Sequence, residues 1–134
     1  MIVIGGVYRE RCVEARIDAM FGSGGRAAVA LASANENVRL ETFAAKDQQL
    51  AICAALEGAG VELGFAEAAA LTEFRYLHSL AKPSISPWPV EVSAVPIVVS
   101  DEQVLLFGTL EGTAQVTGGR VVYDPQHSDP LSFL

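Results

Sequence analysis

Hydrophobic and polar positions change rhythm several times along this chain. Met1 to Ile4 is an unbroken apolar run closed by Gly5-Gly6, the pattern of a short strand buried on both faces of a mostly parallel sheet. From Val7 to Phe21 charge enters. Cys12, Glu14 and Arg16 alternate with Val13, Ala15 and Ile17, which predicts a half-exposed strand with one polar face. Phe21-Gly22-Ser23-Gly24-Gly25-Arg26 then reads as a tight turn opening a helix of small side chains over Ala27 to Ala34, ended by Asn35-Glu36-Asn37. Val38 to Ala44 is the next strand, with Val38, Leu40 and Thr42 alternating against Arg39, Glu41 and Phe43. Asp47 is placed to cap a helix over Gln48 to Leu56, whose apolar stripe is Leu50, Cys53 and Ala54 and whose end falls at Gly58 or Gly60. Val61 to Phe65 is another short strand, and this alternation of strand and helix predicts βαβ units on a parallel sheet.

Thr72 to Leu80 breaks the rhythm. Phe74, Tyr76, His78 and Leu80 alternate with Glu73, Arg75, Leu77 and Ser79, which predicts a second peripheral strand able to pair with the Val7-to-Ile17 segment. Four prolines between Pro83 and Pro96, with Trp88 among them, make the following piece an irregular connection excluded from a central sheet. Ile97 to Val99 and Val104 to Phe107 resume as strands on either side of a Ser100-Asp101-Glu102 turn. Gly108 to Gly119 is small, polar and too weakly periodic for a helix. Arg120 to Pro125 is a further buried strand, with Asp124 at the end where open α/β sheets place ligand-contacting residues, although an Asp before proline is more often a turn former. The last residues finish in apolar Leu131-Ser132-Phe133-Leu134 with no crossover after the final strand, so the chain reads as the front part of a larger fold.

Composition narrows the function classes. A chain of 134 residues, 51% hydrophobic, carries one core and one globular unit. Nine Lys and Arg against sixteen Asp and Glu, with no basic run, exclude a phosphate backbone or an anionic membrane as partner. No apolar stretch reaches the length of a spanning helix and the first residues lack a basic signal-peptide region, so a cytoplasmic protein is expected. Cys12 and Cys53 lie far apart in apolar patterns and read as reduced core thiols.

The glycine turn carries the first chemical reading. Without side chains in the way, a polyhydroxylated or anionic ligand could approach the free N–H groups of the helix that follows; the alternative is a turn that merely lets the helix pack close to a sheet. Gly22-x-Gly24-x-x-Ala27, with Glu41 near the spacing of a ribose-binding acid, fits a loose dinucleotide fingerprint, but it does not directly follow the first strand. A Walker phosphate loop, a zinc-binding His-Glu-x-x-His helix and a Gly-x-Ser-x-Gly elbow are all missing. His78 and His127 form no cluster at metal-ligand spacing, and packing on the aromatic face is the expected role of His78.

Taken in order, Gly5-Gly6, the polar excursion, Gly24-Gly25 opening an Ala-rich helix, Phe43 to Asp47, the Thr72-to-Leu80 strand and Val121 to Pro125 resemble the first half of a ribokinase-like (PfkB-type) carbohydrate or nucleoside kinase. The resemblance implies an α/β fold: a Rossmann-like mostly parallel sheet flanked by helices, with a small peripheral β lid, incomplete in this chain. Residues 1–134 would be the N-terminal, substrate-side part, with lid strands near 7–20 and 72–90. It further implies a sugar or nucleoside bound between lid and sheet by Tyr8, Glu10, Gly24, Gly25 and Arg26, with Glu10 in place of the family's usual aspartate and Val29 near the usual helix asparagine. ATP and Mg²⁺, together with the catalytic Gly-Ala-Gly-Asp stretch, belong to the other half, so no catalytic, cofactor or metal residue is expected here. The implied partners are the small-molecule substrate, the remainder of the kinase fold and a second copy paired through the lid strands. The competing readings are a non-catalytic, kinase-derived module binding a nucleoside-like ligand or a protein partner, and a small dinucleotide binder.

Overall fold

The computed structural model describes residues 1–126. Five strands form one parallel sheet in the order β5-β4-β1-β8-β9. They are β1 (Ile2–Ile4), β4 (Val38–Ala44), β5 (Val61–Glu67), β8 (Ile97–Phe107) and β9 (Ala114–Asp124). A second sheet of four short strands, β3-β2-β6-β7, stands apart: β2 (Arg9–Cys12), β3 (Ile17–Met20), β6 (Glu73–Tyr76) and β7 (Ser84–Ser86). Helices α1 (Gly22–Ser33) and α2 (Lys46–Leu56) complete the elements.

Both helices pack on one face of the large sheet. Val3, Val38 and Leu40 look toward Ala28 of α1 and toward Ile52 and Leu56 of α2, forming a continuous apolar core. The opposite face carries Ile4, Phe43, Val99 and Val104. Short side chains over Ala27–Ala34 let α1 lie close to the sheet, and the approach is closest at its start. A Cβ on Gly24 would stand 2.6 Å from the carbonyl carbon of Gly5, so this pair of glycines sets the distance between α1 and the end of β1.

Several expectations change. The Val7-to-Ile17 strand is a hairpin: β2 and β3 pair antiparallel, and Arg16, in the left-handed region at φ 52°, closes the turn between them. Alternation alone does not distinguish one long strand from two short ones. β2 does pair with β6, in parallel, but β6 stops at Tyr76 and His78 is exposed beyond it, its Nδ1 accepting from the Leu80 amide. Helix α1 begins at Gly22, ahead of Ala27, so the glycines are its first turn rather than a loop before it. Asp47 lies within the first turn of α2, not at the cap, which is Ala45 without a side-chain hydrogen bond. The buried stripe of α2 is Ile52 and Leu56; Leu50 and Cys53 are exposed, and Cys12 is the one buried thiol of the two free cysteines.

β8 pairs with β9 continuously, from Ile97 opposite Ala114 to Phe107 opposite Asp124. A straight strand of that length spans about 33 Å, whereas residues 108–113 can bring the chain back only about 25 Å. β8 must therefore bend. It does so where the Asp101 carboxylate accepts from the Gln103 amide, and β9 follows it round at Gly118, whose Cβ position would sit within 3.6 Å of both Val121 and Val104. The expected Ser100-Asp101-Glu102 turn between two strands is therefore not found: Ile97–Phe107 is one strand, bent within a single hydrogen-bonded ladder. The expected burial of Arg120 to Pro125 is not found: Val121, Val122 and Tyr123 are about half exposed on the edge strand. His127 and the apolar run Leu131 to Leu134 lie outside the described residues.

The outer face of the small sheet is a charge ladder, in which Arg9 and Arg11 both reach Asp18 and both approach Glu73. Hydrogen bonds from Arg9, with Arg11 adding to them, hold the Asp18 carboxyl at a pKa of about 2, below its ordinary 3.8. A depressed carboxylate stabilises the fold above its unfolded pKa and loses that contribution as it protonates. Wild type should therefore lose more stability than Asp18→Asn between about pH 4 and pH 2, as urea melts at each pH would show; parallel curves would refute the pairing.

Candidate functional site

The small sheet leans over the carboxyl ends of β1, β8 and β9, and a cleft of about 790 Å³ lies between them. Open α/β sheets place ligands at this end. Phe74, Tyr76, Ile85 and Trp88 line the lid side; Gly22, Ser23 and Arg26 of α1 line the base, and Gly108 to Leu110 with Pro125 and Gln126 close the far wall. The polar excursion explains the roof. Alternation along β2 puts Arg9 and Arg11 outside, so Glu10 faces inward, opposite Phe74 of β6.

Glu10 is the charged centre of the cleft. Its Oε1 accepts from Arg26 Nη1 at 2.6 Å and from the Gly22 amide at 3.1 Å, while its Oε2 accepts from Arg26 Nη2. Helix α1 has no cap from its own neighbours and no acid in its first turn, so Glu10 supplies across space the negative charge that a helix start favours. The guanidinium is clamped bidentately and lies 5.4 Å from the Phe21 ring centroid. The hydrogen bond to Glu10 raises the Arg26 pKa. Burial, followed by the Glu10 charge, raises that of Tyr76 and keeps it a neutral phenol.

A carboxylate offers about four lone-pair sites, and three protein donors occupy Glu10. One acceptor position on Oε2 remains beside the unused N–H groups of Arg26. Such a pair suits a hydroxyl, which donates and accepts at once. The rings of Tyr8 and Phe74, with centroids 4.9 Å apart, and of Phe74 and Tyr76, at 6.5 Å, form the apolar wall next to it.

Behind this wall is a second carboxylate, which the sequence reading missed. Glu111 is 3% exposed; Tyr8 donates its hydroxyl to Oε2 at 3.3 Å and Thr72 donates to Oε1. Burial pushes the carboxyl pKa up, and the hydroxyl donors oppose that shift. Burial likewise raises the Tyr8 phenol, with the charge of Glu111 adding to it. A sequence signal existed: Glu111 is the lone charged residue between Glu102 and Arg120.

No protein-family model matches the sequence, and the curated proteins yield no match either. Solved structures do match. One is a pyrophosphate-dependent kinase in the ribokinase family complexed with a pyrophosphate analog and myo-inositol, which aligns over 84% of this chain and 42% of its own at 14% identity and a TM-score of 0.59. The sulfate complex of a pyrophosphate-dependent kinase in the ribokinase family aligns over 84% and 43%, again at 14% identity, with a TM-score of 0.60. The chain has a partial ribokinase-like fold. It spans less than half the length of these structures.

Within this ribokinase-like fold the predicted site residues separate. Tyr8, Glu10 and Arg26 come together at the cleft. Gly24 and Gly25 do not line it: Gly24 rests on Gly5, and Gly25 faces Val7 and Leu56 in the core. Two of the first N–H groups of α1 are not left open as expected, since Glu10 takes that of Gly22 and the Gly6 carbonyl takes that of Gly24. Glu41, the candidate ribose-binding acid, is paired with Arg39 and packed over Gly64. Val29 packs against the core beside the sheet. The carboxylate of Asp124 accepts from the Gln126 amide and side chain, so it serves a turn. Among the described residues, no three His, Cys, Asp or Glu side chains are grouped to hold a metal ion, and no helix is long and apolar enough to cross a membrane.

Proposed function

We propose that this chain is the substrate-binding and lid part of a kinase that transfers a phosphoryl group to a hydroxyl of a sugar or nucleoside. The observation that carries the reading is the Glu10–Arg26 pair at the mouth of α1, facing an aromatic lid across the cleft. In this reading Glu10 accepts one substrate hydroxyl, Arg26 donates to a neighbouring oxygen, and Phe74, Tyr76 and Trp88 exclude water above them. Fixing a hydroxyl in this way is what phosphoryl transfer asks of a substrate site, because the reaction depends on positioning and charge stabilisation.

ATP with Mg²⁺ is the donor we propose, held by the remainder of the kinase fold. The described residues of this chain do not themselves fit a nucleotide–metal site, because no carboxylate group is placed for the ion and Arg26 is engaged by Glu10. Two of the similar structures are named for pyrophosphate instead. A second copy joined through the lid is part of the proposal, since Val13, Ile17, Leu77 and Leu80 are exposed on and around its strands.

The test is a phosphorylation assay of the completed fold against a panel of sugars, inositols and nucleosides, with ATP·Mg²⁺ and with pyrophosphate. Turnover of a hydroxylated substrate is expected with ATP. Turnover with pyrophosphate alone would replace the donor and leave the site standing. Saturable binding without turnover under either donor would establish the second reading, a non-catalytic ligand-binding module, which the prior engagement of both Glu10 oxygens favours.

A further inference from the structure

We infer that Glu111 is the positioning residue that anchors the lid, its buried carboxylate tying down both places where the chain leaves the large sheet to build the roof of the cleft. Tyr8 immediately precedes β2 and Thr72 immediately precedes β6, the two central, paired strands of the small sheet. These residues are 64 apart in sequence, yet their hydroxyls donate to the two oxygens of one side chain.

The anchor reaches further through its backbone. The Glu111 carbonyl accepts from the Ser93 amide in the proline-rich connection, and the Leu110 amide donates to the Tyr8 hydroxyl at 3.4 Å. One carboxylate thus joins the root of β2, the root of β6 and the loop between β8 and β9. Thr72 and Glu111 are both almost fully buried, and among the described residues no cation pairs with Glu111. An unpaired carboxylate is an expensive group to bury, and an apolar residue would fill the space with less desolvation. Its advantage is geometric: two oxygens, each directed to one hydroxyl, specify a single distance between the strand roots. The Tyr8 ring, seated over Gly6 and packed on Phe74, carries that constraint to the aromatic wall.

That the roofed cleft takes the substrate rests on the function proposed above; the anchoring does not. Amide hydrogen exchange on the purified protein tests the anchor directly. Glu111→Gln keeps the shape and one acceptor oxygen, and Thr72→Val, nearly isosteric, removes one donor should Glu111→Gln fail to fold. Each is expected to speed exchange about tenfold in Arg9–Cys12 and Glu73–Tyr76, the loss of one hydrogen bond to a charged group, with Val38–Ala44 unchanged. The double variant should add little to either single one. Equal acceleration in the lid and in Val38–Ala44 would mean that Glu111 only holds up the fold, and no acceleration in the lid would mean that it anchors nothing; either result overturns the inference. In the completed kinase the same variants should raise substrate KM about tenfold with kcat kept within about threefold, the signature of a misplaced binding wall. Faster lid exchange with KM unmoved would keep the anchor and overturn the cleft as the substrate site.

Discussion

Gly24→Ala is expected to cost about 3 kcal/mol of stability, while Gly25→Ala, one residue further along the same helix, should add about 0.5–1 kcal/mol. The added methyl at Gly24 would stand 2.6 Å from both the carbonyl carbon and the oxygen of Gly5. Backbone cannot rotate out of the way as a side chain can, so α1 would have to lift from the end of β1. At Gly25 the nearest atoms are a Val7 methyl at 3.7 Å and a Leu56 methyl at 4.0 Å, ordinary contact distances, and the position gains the higher helix propensity of alanine. Urea denaturation of the two variants measures both, and the m-value shows whether the comparison remains two-state. Equal effects of the same sign would contradict the close approach of Gly24 to Gly5. The consequence for the cleft follows from the same geometry. Lifting the first turn of α1 carries Gly22 and Arg26 away from Glu10. In the completed fold, Gly24→Ala should therefore lower activity even at temperatures where it remains folded.

On the function proposed above, Glu10→Ala is expected to lower kcat/KM of the completed protein about a hundredfold. A charged hydrogen bond to a substrate hydroxyl contributes about 1.5–3 kcal/mol, and Arg26 loses its bidentate partner in the same step, so the group meant to fix a neighbouring oxygen swings free. The helix also loses the acceptor of its first amide, an effect of about 1 kcal/mol on stability. Glu10→Gln separates these parts. It keeps one oxygen, which can still accept from the Gly22 amide, but turns the Oε2 position into an NH2 donor and removes the charge that clamps Arg26, so it should lie between wild type and Glu10→Ala in kcat/KM and near wild type in melting temperature. Steady-state kinetics over the preferred substrate, alongside thermal melts, supply both readouts. A change under threefold for Glu10→Ala would remove Glu10 from the substrate site, whatever happened to stability.

Much of the large sheet was legible in the chain because its information is local. Ile2–Ile4, Val38–Ala44 and Val61–Glu67 are short apolar or alternating runs, and a parallel sheet needs little more than such runs separated by helices. The two peripheral segments were equally visible as departures from that rhythm. What misled was periodicity read without its partners. Leu50, Cys53 and Ala54 make a plausible stripe on paper, but α2 is short and touches the sheet along Ile52 and Leu56. The Val7-to-Ile17 alternation concealed a reversal at Arg16, and β8 and β9 are each one bent strand in one continuous ladder where a turn and a polar stretch were expected.

At the site, Tyr8, Glu10 and Arg26 came from the resemblance to the first half of a ribokinase-like kinase, and the structure brings the three together at the cleft. Gly24 and Gly25 were chosen by the same reasoning and lie elsewhere, since a glycine that admits a ligand and a glycine that admits another backbone look identical in one dimension. Glu111 had only its isolation among uncharged neighbours to mark it.

By itself the sequence determined the α/β class, the alternation of strand and helix through Val61–Glu67, the separation of polar peripheral strands from an apolar sheet, and an excess of acidic over basic residues. Each follows from composition or from a period a few residues long. The tertiary structure alone decided that Glu10 completes the first turn of a helix twelve residues away, that Gly24 lies against Gly5, and that Tyr8 and Thr72 meet on Glu111. Those are contacts between residues distant in the chain, and their energies depend on burial and direction, which come into being only when the sheet, the helix and the lid have closed on one another.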